Sequence, residues 1–262
     1  MTFQQKQLHY EVIGEGPAVM LVHGFGEDSS VWRQQQNAFP GFQLILPDLP
    51  GSGASEMIND MSLEGLADSM LAILDQEKIQ QCIFIGHSMG GYIALAFAEK
   101  YETRLKGLGL FHSTTFADTE AKVETRLKAI EFIKEHGAYN FLRTSTPNLF
   151  SPKSKESQKS VIEEQVERTA NFTDAALICY YESMIKRPDR TPLLKTTTLP
   201  VLFIIGRHDT AVPVQDSLQQ CHLPARSYVH ILEKSGHMGM LEQAEESNRY
   251  LLDYISDLSK LS

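Results

Sequence analysis

The stretch Ile85-Gly86-His87-Ser88-Met89-Gly90-Gly91 decides how the rest of the chain is read. It joins a short apolar run at 82–85 to an Ala- and Leu-rich segment at 90–101 with the composition of a helix. G-x-S-x-G between a strand and a helix sets its serine on a sharp, strained turn with the hydroxyl outward. Gly86 and Gly90 remove side chains that would collide across that turn. Ser88 then stands at a helix N-terminus, where the dipole favours developing negative charge. The same letters also occur in plain turns; the strand before and the helix after raise the motif above that.

Working outward, apolar runs at 8–13, 18–22, 42–46, 107–111, 201–205 and 228–232 read as further strands. The first two flank the turn Gly14-Glu15-Gly16-Pro17 and read as a hairpin. Leu63, Leu66, Ala67, Met70, Leu71 and Leu74 share one helical face, with Ser62 as the expected N-cap. A last helix is expected at 241–258. Short apolar strands alternating with helices predict an α/β fold with a mostly parallel sheet covered on both faces. Between His112 and Lys195 no strand is expected. Helices at 121–136, 156–170 and 173–187 replace the alternation there, punctuated by Pro147, Pro152 and Pro188.

A serine hydroxyl is a weak nucleophile and needs a base. His237, in Ser235-Gly236-His237-Met238, lies between the last strand and the last helix. Asp209, in Gly206-Arg207-His208-Asp209, follows the strand at 201–205. Loops at the C-terminal ends of parallel strands are where such sheets place function. Asp209 would hold one ring nitrogen of His237 and stabilise the imidazolium. Taken alone, Asp209 also reads as a turn residue before Pro213, and His237 as a loop residue; their order after Ser88 favours the triad. His23-Gly24-Phe25-Gly26 is a glycine-rich turn. The amides of Phe25 and Met89 would form an oxyanion hole, with His23 itself structural.

Together these segments, with 47–55 (Pro-Asp-Leu-Pro-Gly-Ser-Gly-Ala-Ser), resemble the α/β-hydrolase fold superfamily in its capped, single-chain, esterase-like branch. The resemblance spans nearly the whole chain and is specific for fold and triad, not for substrate. It implies Ser88 as nucleophile, Asp209 as acid, His237 as base and the Phe25 and Met89 amides as oxyanion donors. It also implies a helical cap, so the expected division is a core of 1–113 and 196–262 with a cap at 114–195. Relatives usually carry His where Ser52 stands, a departure touching loop packing. Relatives that open epoxides or remove halogens carry Asp at the nucleophile position, so Ser88 argues against both. The resemblance leaves three activities open: cleavage of small to medium carboxylic esters, hydrolysis of carbon–carbon bonds or enol-lactones (or perhydrolysis) on the same triad, and slow-turnover ligand reception.

Substrate contacts are expected from His112, just after a strand end, and from Met238, beside the base. Each has an alternative, as a satisfied loop histidine and as core packing. Trp32 is expected to pack behind the oxyanion loop, and most aromatics of 114–195 to serve packing. An ordinary His237 pKa would put an activity limb near pH 6 to 7.

The 262 residues and 42% hydrophobic content suit a folded chain with a large core. Net charge is −9, which disfavours nucleic acid and anionic lipid. That charge is uneven: 114–195 holds 13 basic and 12 acidic residues, the remainder 11 and 21. Cys82, Cys179 and Cys221 form no C-x-x-C pair, and there is no His-Glu-x-x-His. No metal and no cofactor are expected. No signal-type or membrane-spanning run stands out. A cytoplasmic monomer or homodimer acting on a small-molecule acyl ester is the expectation.

Overall fold

A computed structural model describes residues 1–260. Seven strands form one sheet: β1 (Tyr10–Ile13), β2 (Ala18–Val22), β3 (Gln43–Pro47), β4 (Cys82–His87), β5 (Leu105–Phe111), β6 (Val201–Gly206) and β7 (Ser227–Leu232). Their spatial order is β1-β3-β2-β4-β5-β6-β7. Every pairing is parallel except β1 with β3. A small two-stranded ribbon, Thr2–Phe3 with Lys6–Gln7, precedes the sheet.

Strand β2 is Ala-Val-Met-Leu-Val and buried throughout, because both of its faces are covered. Met20 and Val22 pack towards α1 (Leu63–Gln76) and α2 (Met89–Tyr101), on which Leu66, Met70, Ile93 and Phe97 are buried. Val19 and Leu21 face the other layer. The Ser62 hydroxyl accepts from the Gly65 amide at 3.1 Å and caps α1, as its position predicts.

After β5 the chain runs through α3 (Glu120–His136), α4 (Ala138–Ser145), α5 (Pro152–Ser157), α6 (Lys159–Arg168), α7 (Asp174–Lys186) and α8 (Thr191–Thr196) before entering β6. No strand lies in that segment. Beyond β6 come α9 (Val214–Leu218), then β7, then α10 (Gly239–Glu242) and α11 (Ala244–Ser259). Leu251, Tyr254, Ile255 and Leu258 of α11 cover the face opposite α1 and α2. No helix among the described residues is long and apolar enough to cross a membrane.

Three expectations are corrected. The helix expected at 156–170 is divided between α5 and α6 at Gln158 (φ −126°, ψ +39°). The runs at 8–13 and 18–22 are not a hairpin: Tyr10 pairs with Pro47 and Ile13 with Leu44, so β3 lies between them. The reason is burial. The apolar β2 needs a neighbour on each edge, whereas β1 is only partly covered and suits the sheet edge. The turn at 14–17 bends closely around the start of β3. A Cβ on Gly16, at φ +125°, would stand 2.1 Å from the Gly41 carbonyl oxygen. The single helix expected at 241–258 is instead α10 and α11, broken at Gln243 (φ −134°, ψ +59°). There the Gln243 carboxamide oxygen accepts from the Lys234 amide at 2.7 Å, tying the break to the loop before His237.

Candidate active site

Ser88 has φ +50° and ψ −114°, a left-handed conformation that costs a non-glycine residue about 1–3 kcal/mol. Its surroundings hold it there. The Ser88 amide donates to the Phe111 carbonyl at 2.9 Å, and the Ser113 hydroxyl donates to the Ser88 carbonyl at 2.7 Å. Close approach explains the glycines: a Cβ on Gly86 would meet the Gly90 carbonyl oxygen at 2.1 Å, and one on Gly90 the Val22 carbonyl oxygen at 2.4 Å. The amides of Phe25 and Met89 donate to no acceptor among the described residues.

Asp209 and His237 meet behind Ser88. Asp209 Oδ2 accepts from His237 Nδ1 at 2.7 Å and from His112 Nδ1 at 3.1 Å, while Oδ1 accepts from the Ala211 and Val212 amides at 2.9 Å each. Burial opposes ionisation of Asp209, but the two imidazoles facing it outweigh that and hold its pKa far below the usual carboxylate range. Burial likewise pushes His237 towards its neutral form. The Asp209 carboxylate, with smaller contributions from Glu27 and Glu242, prevails and holds the His237 pKa above its ordinary 6.5. With Nδ1 donating to Asp209, Nε2 carries the lone pair. Ser88 and His237 line one cavity of about 140 Å³ together with Phe25, Arg126, Leu149 and Tyr181. No hydrogen bond joins the Ser88 hydroxyl to the His237 ring; in unliganded sites that contact is often open and closes on substrate.

The structure takes His112 elsewhere than expected. Its side chain is fully buried, wedged where a Cβ on Gly206 or Gly239 would strike it, and it faces Asp209 rather than the cavity. Burial lowers its pKa to about 4, so it is neutral at pH 7. Met238 is buried and lines a second chamber adjoining the first. Trp32 is fully buried against Phe111, ring centroids 5.5 Å apart, and edge-on to His87. His23 is structural: Nδ1 donates to the Gly24 carbonyl and Nε2 accepts from the Leu49 amide, both at 2.9 Å. Ser52 meets the Tyr180 hydroxyl of α7 at 2.9 Å, so this departure falls on packing between loop and helix.

His112, Asp209 and His237 place one potential metal-ligating atom each within 4.8 Å of one another. Both imidazole Nδ1 atoms, however, sit at hydrogen-bond distance from a single carboxylate oxygen, so these donors are engaged with one another.

Three arrangements had no sequence signal. Glu27 Oε2 accepts from the Gly24 amide at 2.7 Å and faces His87 Nδ1 at 2.9 Å, while His87 Nε2 donates to the His237 carbonyl at 2.9 Å. This buried pair thus joins the turn before Phe25, the residue before Ser88 and the backbone of His237. Burial opposes a charge on Glu27, but the His87 imidazole and the Gly24 amide keep its pKa below the ordinary value. Glu242 Oε1 accepts from the Gly236 and Met238 amides at 2.8 and 3.1 Å and so braces the His237 loop. Asp118 receives Arg126 (Nε to Oδ2, 2.6 Å) and Arg187 (Nη1 to Oδ1, 2.9 Å). One carboxylate against two guanidiniums leaves a positive charge at the cavity wall, and Arg126 Nη1 has no acceptor among the described residues.

Comparison with known proteins agrees with this architecture. Residues 17–161 match the family model of the alpha/beta hydrolase fold. The chain is 26% identical over 269 residues to the 2-hydroxy-6-oxo-6-phenylhexa-2,4-dienoate hydrolase of Comamonas testosteroni, covering 95% of this chain and 91% of that protein. It is 26% identical to the 3-oxoadipate enol-lactonase 2 of Acinetobacter baylyi, covering 95% and 92%. Among solved structures, a thermophilic esterase from Thermogutta terrifontis superposes with a TM-score of 0.91 at 27% identity, covering 97% of this chain and 94% of that one.

Proposed function

The chain belongs to the alpha/beta hydrolase fold family, and within it we propose a serine hydrolase that cleaves small to medium carboxylic esters through an acyl-enzyme. The observation that carries this is the strained Ser88 turn opening into the same cavity as a His237 ring whose Nδ1 is held by Asp209. Ser88 Oγ attacks the carbonyl carbon while His237 Nε2 takes its proton. The oxyanion rests on the Phe25 and Met89 amides, each such donor contributing about 100- to 1000-fold in rate. The tetrahedral intermediate expels the alkoxide, which leaves as alcohol with the proton from His237. A water, deprotonated by the same ring, then attacks the acyl-enzyme and frees the acid and Ser88. Residues 114–195 act as a cap over this site, contributing Arg126, Leu149 and Tyr181 to its wall.

A second reading keeps the machinery and changes the bond: an enol-lactone or a carbon–carbon bond in a small oxo acid. Two observations favour it. The dienoate hydrolase and the enol-lactonase match this chain over 95% of its length, and the names of both substrates denote carboxylates. The guanidinium of Arg126, with one nitrogen unpaired at the cavity wall, suits a carboxylate on the substrate.

Steady-state rates on three matched sets, simple esters, enol-lactones and vinylogous diketones, separate the readings. Esters turning over fastest supports the first; lactones or diketones at least tenfold faster in kcat/KM replaces it with the second. No turnover of any set, with Ser88 unlabelled by a fluorophosphonate, defeats both.

A further inference from the structure

A second chamber of about 90 Å³ adjoins the Ser88 cavity and shares Phe25, Glu27, Leu149 and Tyr181 with it. Its walls include Leu142 and Met238, but it also carries two polar groups with nothing to bind. Gln165 on α6 is 2% exposed, its carboxamide oxygen has no partner, and its Nε2 donates to no described residue. Thr146 is 4% exposed, and its hydroxyl makes no hydrogen bond to a described residue. Buried polar groups are nearly always satisfied, so the unpartnered Gln165 carboxamide oxygen, with the unpaired Thr146 hydroxyl lining the same small chamber, calls for a ligand.

We propose that this chamber is a neutral hydrogen-bonding subsite, in which Gln165 and Thr146 read a hydroxyl or ketone at the end of one arm of the substrate. That the ligand is a substrate arm rests on the acyl-hydrolase reading above.

The chemistry is constrained from three sides. An amide and a hydroxyl each donate and accept, so either a hydroxyl or a carbonyl satisfies them. No free charge faces the chamber: the Glu27 carboxylate at the junction is held by the Gly24 amide and His87, so a charged terminus has no counter-ion there. The chamber is small, about 90 Å³, and Leu142 and Met238 line it. The arm is therefore short, apolar along its stem and polar at its tip. The Arg126 guanidinium belongs to the other chamber, so the two polar features address different ends of a substrate.

The test compares isosteric esters. On the acyl arm, p-nitrophenyl 4-oxopentanoate is set against p-nitrophenyl 4-methylpentanoate. On the alkoxy arm, 2-hydroxypropyl acetate is set against isobutyl acetate. For at least one pair the native enzyme should favour the polar member in kcat/KM by about 3- to 10-fold, the range of a neutral hydrogen bond. Q165L, nearly isosteric, should bring that ratio to one or below while the apolar ester changes less than about threefold; T146V should reduce it in part. Neither pair showing a preference, or a preference that survives both substitutions, overturns the proposal. If every ester is inert, the subsite is still tested by the side-chain amide resonance of Gln165 in ¹⁵N-labelled protein. Butan-2-one should shift it and 2-methylbutane, its apolar isostere, should not. A resonance unmoved by either overturns the subsite, whereas inert esters with a shifted resonance count against the hydrolase reading alone.

Discussion

The two walls of the Ser88 cavity brace their polar side chains to different degrees. The wall built from loops after the strands is closely cross-braced. Asp209 accepts four hydrogen bonds, the Glu27–His87 pair joins three loops, and Glu242 grips the amides on both sides of His237. The helical wall leaves groups open: one nitrogen of Arg126, the Thr146 hydroxyl and the Gln165 carboxamide. Groups that perform chemistry gain from being oriented before substrate arrives. Groups that recognise a ligand must be vacant until it does. The contrast is what a reaction centre under a specificity-setting roof requires.

The braced wall can be broken first at Asp209. D209N keeps the shape but removes the carboxylate that prevails over burial at His237. We expect kcat to fall by about 10,000-fold. The pH profile adds a signed check. His237 must be neutral to accept a proton, so activity rises with pH through its pKa, and in the native enzyme this limb should lie above 6.5 rather than at the ordinary position. In D209N burial then dominates and the limb should move down. A native limb below 6.5, measured as kcat/KM against pH, contradicts the proposed pairing.

A smaller effect is expected at Glu27. E27Q leaves an acceptor for the Gly24 amide but removes the charge beside His87. Weakening buried, charge-assisted hydrogen bonds of this kind costs about 1–3 kcal/mol of stability, readable in denaturant unfolding. Among molecules still folded, kcat should fall about 10- to 100-fold with KM little changed, because positioning rather than binding is lost. Equal stability in E27Q would mean that the pair braces nothing.

The open wall should respond only to the choice of substrate. R126M should lower kcat/KM for esters bearing a carboxylate by about tenfold and leave neutral esters within about twofold, a split that distinguishes recognition from general damage. The same loss on both classes would place Arg126 with the scaffold.

This asymmetry also explains what could be read from the residues in order. Local signals sufficed for the strands, for the Ser88 turn with its glycines, and for the Ser62 cap, since each depends on neighbours a few positions away. The edge position of Tyr10–Ile13 was hidden because a hairpin and an inserted third strand share the same local pattern; only the need of Ala18–Val22 for two neighbours decides it. The break at Gln243 arises from a contact with Lys234, absent from helical periodicity. In the site, the loops bearing Ser88, Phe25, Asp209 and His237 carry motif residues and were visible. Glu27 with His87, and Asp118 with Arg126 and Arg187, were not, because pairings set by tertiary packing leave no fixed spacing. For His112, a position after a strand end places the side chain near the site without saying which side of Asp209 it takes.

The central claim is that Ser88 forms a covalent acyl-enzyme with His237 as its base. Rapid quenching during turnover of an activated ester, followed by intact-mass and peptide mass spectrometry, tests it most directly. The account predicts one acyl group per chain, carried on the peptide containing Ser88, absent from S88A and formed much more slowly in H237A. An acyl group on another residue, or steady hydrolysis that persists in S88A, would contradict it.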